Sequence, residues 1–246
     1  MFAPPKLKGI AAPFLFPARS FFPPRVDLHL HTDFTDGRSS IFEMLESAEK
    51  RELETIAFTE HVRRGNTWFD SFLEAIAFER SRFPNLGILV GIEAKALDCE
   101  GRLDADEELL EKADLVLGAV HGYPDGKGGF HPLASLDPDE AARIEFNAAW
   151  ALLEKSPLDV LAHPGALTLK HFGFFPEDYL HALVSKAARE GRAIELNGEY
   201  HTSEQLARLI QWCAEEDAWL SLGSNAHHES EVGRINARIK EEMLDV

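Results

Sequence analysis

The chain has 246 residues, of which 45% are hydrophobic and 27% charged, a composition typical of a globular protein with a sizeable core. Its formal net charge of −17 weighs against a long nucleic acid as ligand, because phosphate backbones are bound by basic surfaces. No apolar run approaches the roughly 20 residues of a membrane-spanning helix, so we expect no membrane association and a small-molecule partner.

The first 25 residues differ from the rest in being rich in proline and phenylalanine, with few charges. The prolines interrupt any helix, which makes this segment a poor signal peptide. It is compatible with an extended arm that packs on the folded domain or on a neighbouring subunit, and equally with a mobile tail. We therefore expect an N-terminal arm over residues 1–25 and one folded domain over residues 26–246.

From residue 26 onwards, short apolar runs that end in polar residues alternate with longer segments of helical periodicity. The apolar runs have the length and composition of buried strands. They cover residues 26–30, 55–58, 88–92, 115–120, 159–162, 193–196 and 219–222. Capping residues mark where four of the intervening helices begin. These are Ser39 or Ser40, Asp137 followed by Pro138, Pro176, and Thr202 or Ser203.

Strands that alternate with helices predict a parallel sheet. Seven such units with no linker between them favour one closed α/β barrel in a single domain, with an open doubly wound sheet as the alternative. Cys99 and Cys213 form no C-x-x-C pair, so we expect two apolar core residues, no disulfide and a reducing, cytoplasmic compartment.

Every predicted strand ends in a polar residue that could bind a metal ion or a substrate. In chain order these are His29 and His31, Glu60 and His61, Glu93, His121, His163, Asn197, and Asn225 with His227. The carboxyl ends of parallel barrel strands surround one mouth, so we expect these side chains to converge there. A single histidine at a strand end is usually structural, but six at one rim indicate a metal cluster. Imidazole and carboxylate ligands together suit zinc, manganese or iron.

The segments that carry these residues resemble a known family. In order they are DLHLHT at 27–32, TDG at 35–37, FTEH at 58–61, GIE at 91–93, VH at 120–121, AHP at 162–164 and GSNAH at 223–227. This series resembles the polymerase and histidinol phosphatase (PHP) superfamily, whose members adopt a distorted seven-stranded, (β/α)7 barrel. The resemblance runs from about residue 26 to residue 234. Residues 93–104 look most similar to stand-alone PHP phosphoesterases and to the PHP domain of bacterial family-X DNA polymerases.

The resemblance implies two or three divalent metal ions held by residues at the barrel mouth. The first site would comprise His29, His31 and Asn225, with Glu93 bridging to the second site, which His121 and His163 complete. The third site would comprise Asp36, His61 and His227. The family usually has aspartate at the position of Asn225. Because an amide brings no negative charge, this departure predicts a weaker first site, a site filled only together with substrate, or lost catalysis.

The implied activity is hydrolysis of a phosphate ester of a small molecule, such as a nucleotide, a sugar phosphate or histidinol phosphate. A hydroxide bridging two ions would attack phosphorus in line with the leaving oxygen, next to Glu93 and Asn225. Four cationic residues follow the ligand segments and are candidates for binding the substrate phosphate, with Arg234 also a catalytic candidate. They are Arg63, Arg64, Lys170 and Arg234.

Two acidic residues have open roles next to the implied ligands. Asp27 either fixes the tautomer of a ligand histidine or is a solvated carboxylate at the strand end. Glu60 either orients His61 or contacts the third ion.

Two other functions remain as alternatives. A 3′ exonuclease or oligonucleotide phosphoesterase is supported by the polymerase-linked relatives and opposed by the charge of −17. A metal-binding scaffold that has lost catalysis at Asn225 is opposed by the retention of the other implied ligands.

Overall fold

A computed structural model describes residues 15–17 and 24–244, and within these ranges the chain forms eight strands and eight α-helices. The strands are β1 (Phe16–Pro17), β2 (Val26–Leu30), β3 (Thr55–Val62), β4 (Gly87–Lys95), β5 (Leu115–Ala119), β6 (Val160–Leu161), β7 (Ala193–Asn197) and β8 (Trp219–Gly223). The helices are α1 (Ile41–Lys50), α2 (Phe69–Arg80), α3 (Glu107–Lys112), α4 (Pro138–Lys155), α5 (Ala166–Phe172), α6 (Glu177–Glu190), α7 (Ser203–Glu216) and α8 (Arg234–Leu244).

The seven strands from β2 to β8 lie side by side in chain order, and each pairs in parallel with the next. The segment after β8 then returns to β2, where the His31 N–H donates to the Ala226 carbonyl over 2.9 Å. A further bridge joins Leu30 to Ala226. The sheet therefore closes almost completely, which confirms the predicted single-domain α/β barrel.

Burial on both faces explains why the strands read as continuous apolar runs. All residues of β2, β5 and β7 are buried, because one face fills the barrel and the other lies under helices. Two predicted strands are longer than expected. The ladder between β3 and β4 continues as far as Val62 opposite Ala94, so that His61 and Glu93 lie within paired strands and opposite each other.

Side-chain capping sets where several helices begin, as predicted. Ser40 caps α1 in a capping box with Glu43, and Thr202 caps α7 in a capping box with Gln205. Asp137 caps α4, which begins with Pro138 in its first turn. The sequence analysis did not assign α2, α3, α5 or α8.

Part of the proline-rich N-terminal segment lies along the last barrel strand. β1 pairs antiparallel with β8, with Phe16 opposite Leu220, and Leu15 is buried beside it. Residues 1–14 and 18–23 of the predicted arm lie outside the described residues.

Cys213 is buried, as expected, whereas Cys99 is exposed, so the prediction of a core position was wrong for Cys99. The reason is local, since Cys99 follows Asp98 in a turn beyond the end of β4. Among the described residues, no helix combines the length and the apolar character needed to cross a bilayer.

Candidate metal centre

The carboxyl ends of the strands surround a cavity of about 460 Å³ at one end of the barrel. Its lining includes Asp36, His61, Glu93, His121, His163, Lys170, Glu199, Tyr200, Asn225 and His227. His29 and His31 lie behind the residues that line the cavity and are fully buried. All nine residues that the sequence analysis offered as metal ligands therefore converge at one place, where a parallel barrel carries its functional groups.

Glu93 is the central carboxylate of this cluster and is only 1% exposed. Its Oε1 lies 2.8 Å from His163 Nε2 and 3.1 Å from His121 Nε2. Its Oε2 faces the other way, 3.5 Å from the Nε2 atoms of both His29 and His31. One carboxylate thus lies between two sets of imidazoles, which is the arrangement that a bridging metal ligand requires.

Among the described residues, three overlapping groups of donor atoms have their members within 4.8 Å of one another. They are His29 with Glu93 and His163, His61 with Glu93 and His121, and His31 with Asp36, His61 and His227. These groups use eight of the nine predicted ligands but divide them differently from the three implied sites. The assignment of each ligand to a particular ion therefore stays a prediction.

The buried polar atoms fit a cation better than they fit one another. Glu93 Oε2 is buried and lies 2.9 Å from His61 Nδ1. Among the described residues, the buried His31 Nδ1 has no hydrogen-bond partner, and such a group is costly to leave unsatisfied. The Nε2 atoms of His29 and His31 are 3.0 Å apart and point into the same space. Imidazole nitrogens and a carboxylate oxygen that converge in this way are suited to hold a divalent ion.

The protonation of this cluster is strongly coupled to its carboxylates. Burial by itself lowers the pKa of His29, but the charges of Glu195 and Glu93 outweigh it and raise that pKa well above its usual value. Burial and the charge of His29 together hold the pKa of His31 well below its usual value. A bound cation would displace the proton from His29, so metal binding should release protons.

Asp36 is the carboxylate of the group formed with His31, His61 and His227. Its two oxygens lie 3.4 Å from His61 Nε2 and 3.4 Å from His227 Nε2. Hydrogen bonds from His227 and His61 hold the pKa of Asp36 well below its usual range. Burial would lower the pKa of His61, but Asp36 and Glu93 outweigh it and raise that pKa to about 10.

Glu195, in the middle of β7, contacts two of the candidate ligands and was missed by the sequence analysis. Its Oε1 lies 2.7 Å from His29 Nδ1, and its Oε2 accepts the backbone N–H of His163 over 2.6 Å. The charge of His29 outweighs burial and lowers the pKa of Glu195, so the carboxylate is ionised and accepts. A signal was available, since an acidic residue interrupts the apolar run at 193–197.

Asp27 and Glu60, whose roles the sequence left open, both hold backbone segments in place. Both oxygens of Asp27 accept backbone N–H groups, from Ser224 over 2.8 Å and from Gly233 over 2.7 Å. Both alternatives for Asp27 were wrong, because its carboxylate is fully buried and Glu195, instead of Asp27, contacts the ring nitrogen of His29. Glu60 accepts from the backbone N–H and hydroxyl of Thr32, at 2.7 and 2.6 Å, and so holds the loop that carries Asp36.

Asn225 lines the cavity and lies next to His31. Its Oδ1 is 3.2 Å from His31 Nε2, and its Nδ2 donates to Glu199 Oε2 over 2.6 Å. Its φ of 51° and the φ of 28° at His163 lie in the left-handed region, which few non-glycine residues adopt. Such backbone angles at two residues of one site show that the surrounding contacts impose their positions.

The four cationic candidates are not equally placed. Lys170, on α5, lines the cavity. Arg63 lines a neighbouring cleft beside His61 and Glu93. Arg64 and Arg234 are not among the cavity-lining residues. The guanidinium of Arg64 lies 3.4 Å from the Leu103 carbonyl, and that of Arg234 lies 3.1 Å from Glu231 Oε1.

The chain is similar to proteins of one family over most of its length. The PHP domain family matches residues 27–242. A probable phosphatase of Edwardsiella ictaluri is 30% identical over 227 residues, covering 87% of this chain and 83% of that protein. The DNA polymerase/3′-5′ exonuclease PolX of Bacillus subtilis is 27% identical over 210 residues, covering 82% of this chain but 34% of the polymerase.

The fold is similar to that of histidinol phosphate phosphatase from Lactococcus lactis, solved in complex with zinc, L-histidinol and phosphate. The TM-score is 0.67, and the match covers 88% of this chain and 93% of that one. At 16% sequence identity this likeness concerns the fold alone.

Proposed function

The chain belongs to the PHP-domain family and is a metal-dependent phosphoesterase, and on that premise we propose that it hydrolyses phosphate monoesters of a small molecule. The observation that carries the proposal is the position of Glu93, whose two oxygens face separate sets of imidazoles at the floor of an open cavity. Two metal positions that share one carboxylate suit a phosphoryl group, which needs charge neutralisation on several oxygens at once.

The proposed ligands are the nine residues that converge at the barrel mouth, holding two or three divalent ions of zinc, manganese or iron. Such ions lower the pKa of water and neutralise charge on the phosphoryl group. The protein itself contributes the placement of the ligands. Glu195 keeps the proton of His29 on Nδ1, and so leaves the Nε2 lone pair free for an ion.

The charges around the cavity support one phosphoryl group rather than a long strand. Lys170 lines the cavity together with the acidic residues Asp36, Glu93 and Glu199. With a formal net charge of −17, the protein would repel the further phosphates of a polynucleotide. We propose that Lys170 binds a phosphoryl oxygen, and that Arg63 binds the substrate from the neighbouring cleft. A catalytic role for Arg234 stays a prediction.

The leaving group would occupy a depression of about 360 Å³ that adjoins the cavity at His121, Leu167 and His171. Its wall includes Phe130 and Tyr123, and Lys95 Nζ lies 5.3 Å from the centroid of the Phe130 ring. An apolar or aromatic leaving group would pack on this wall.

The test is to purify the protein without chelator, measure its metal content, and assay an aryl phosphate and its diester with Mn²⁺ or Zn²⁺ added. Two or three ions per chain, with the monoester cleaved faster, are expected. Cleavage of the diester alone, falling steeply between low and moderate salt, would instead favour an oligonucleotide substrate. Bound metal without turnover of either ester would contradict the hydrolase and favour a scaffold. The Glu93→Gln variant, which should lose both metal and activity, controls for contaminating phosphatase.

A further inference from the structure

We infer that Glu199, which is outside the predicted ligand set, orients the Asn225 amide and supplies the negative charge that this amide lacks at the first metal site. The inference rests on the proposed metal cluster. It concerns a residue that the motif of the strand ends does not include, since Glu199 lies in the turn after β7.

The hydrogen bond between the two residues determines which end of the amide faces the cluster. Asn225 Nδ2 donates to Glu199 Oε2 over 2.6 Å, and Oδ1 then lies 3.2 Å from His31 Nε2. An ionised carboxylate only accepts hydrogen bonds. It therefore holds the NH₂ end of Asn225 away from the imidazoles and leaves the oxygen, the end that a cation can use, directed at them.

The predicted ligands of the first site carry little negative charge themselves. Of its predicted ligands His29, His31, Asn225 and Glu93, only the last carries a negative charge, and the second site shares that charge. The Nε2 atoms of His29 and His31 lie 3.0 Å apart and each 3.5 Å from Glu93 Oε2, so three donor atoms converge on the space that an ion would occupy. Glu195 contacts His29, and Glu199 is the carboxylate that contacts Asn225, the ligand without a charge. Carboxylates in this position strengthen metal binding through the ligand they contact.

The position of Glu199 is built into the fold. Asn197 Oδ1 accepts the backbone N–H groups of Glu199 and Tyr200, both over 3.0 Å. Asn197 Nδ2 donates in turn to Glu195 Oε2 over 3.1 Å. The turn that presents Glu199 is therefore held by the same carboxylate that holds His29. The Glu199 side chain itself is exposed and lines the cavity, so its replacement leaves the core intact.

An amide at position 225 also avoids charge repulsion with Glu199. An aspartate at position 225 would place two carboxylates in direct contact, and like charges at that distance repel. Exchanging the groups, in Asn225→Asp combined with Glu199→Gln, keeps the hydrogen bond with donor and acceptor reversed and keeps the total charge. This exchange separates a functional pair from two independent surface residues.

The experiment is a titration of chelator-treated protein with Mn²⁺ by calorimetry, with metal content measured after dialysis. Glu199→Gln keeps an acceptor for the Asn225 amide but removes the negative charge. We expect the Mn²⁺ affinity of one site to fall about tenfold, while the affinity of the other sites stays the same. The exchanged double variant should return to within about threefold of the wild type. Glu74→Gln, an exposed position on α2, is the matched control. Circular dichroism of the metal-free variants checks their folding.

A Glu199→Gln variant that titrates as the wild type does would overturn the inference, as would a double variant as weak as the single one. Neither result depends on turnover. Loaded wild type that cleaves no phosphomonoester would remove the proposed function while the titration still decides the role of Glu199. Wild-type protein that binds neither Mn²⁺ nor Zn²⁺ would overturn both.

Discussion

Glu195 holds His29 by the ring nitrogen that faces away from the metal cluster, with Oε1 2.7 Å from Nδ1 and both side chains buried. The other oxygen of Glu195 accepts the N–H of His163. One carboxylate therefore orients a proposed ligand on β2 and the loop that carries another after β6. Its effect on metal binding can be measured separately from any effect on substrate.

Glu195→Gln should weaken metal binding by about 10- to 100-fold. Glu195 accepts from His29, from the His163 backbone and from Asn197, all from buried positions. Glutamine has one acceptor oxygen, so its NH₂ group must face at least one of these donors. Metal content after dialysis and calorimetric affinity provide the measurement, with exposed Glu215→Gln as control. Wild-type affinity in Glu195→Gln would show that His29 needs no such partner.

Gly223→Ala should disturb the same contact from the neighbouring strand. A methyl group at Gly223 would overlap the Glu195 carboxylate and lie 2.6 Å from His29 Cβ. We expect a loss of about 1–3 kcal/mol in unfolding free energy together with weaker metal binding. Gly191→Ala is the comparison, because its φ of 64° is strained for alanine but no atom of the described residues lies within 4 Å of the added methyl group. If both variants lose stability and keep full metal affinity, the close approach at Gly223 has no bearing on the metal cluster.

Lys170→Met should raise KM for a phosphomonoester by about tenfold, because one charge-assisted hydrogen bond to phosphate is lost. A smaller change in kcat is expected if the contact is the same in ground and transition states. Inhibition by inorganic phosphate should weaken in parallel, while metal content stays the same. Exposed Lys155→Met is the control. Arg234→Met, measured alongside, tests the other candidate, and a larger effect there would reverse the assignment.

Glu145 should make stability fall as the pH rises. This residue of α4 accepts the N–H groups of Leu167 and Thr168 at the start of α5. Burial, opposed by the hydrogen bonds from Thr168 and Leu167, raises its pKa from an ordinary value of 4.5 to about 7. Between these values the folded protein holds a proton that the unfolded chain has released. The stabilisation from Glu145 is complete below its ordinary pKa of 4.5 and is lost as the pH rises through its folded-state pKa of about 7. The unfolding free energy lost over this range is about 3 kcal/mol.

The measurement is denaturant unfolding of metal-free protein at a series of pH values. Glu145→Gln removes this titration, so its unfolding free energy should fall less than that of the wild type between about pH 5 and pH 8. Glu74→Gln, on the exposed side of α2, should follow the wild type. Parallel profiles for wild type and Glu145→Gln would show that Glu145 is ionised in the folded protein across this range.

Local signals explain why much of the architecture could be predicted. Strand periodicity and capping residues depend on neighbours within a few positions, so the seven barrel strands and the starts of α1, α4 and α7 were readable. Helix α5 was not, because it is short and its first N–H groups are capped by Glu145, which is about twenty residues earlier on α4. The lengths of β3 and β4 were underestimated, since their pairing with each other extends them beyond the apolar runs.

The amino-acid sequence by itself determined the barrel class and placed eight of the nine candidate ligands at strand ends, which share a common mouth. The resemblance to the PHP superfamily selected these eight and added Asp36. Only the tertiary structure decided which groups support them. Glu195 meets His29 across 166 positions of sequence, and Glu199 meets Asn225 across 26. Such contacts depend on how strands and turns pack in three dimensions, and no local pattern encodes them. The same packing places Lys170 at the cavity and directs Arg234 to Glu231.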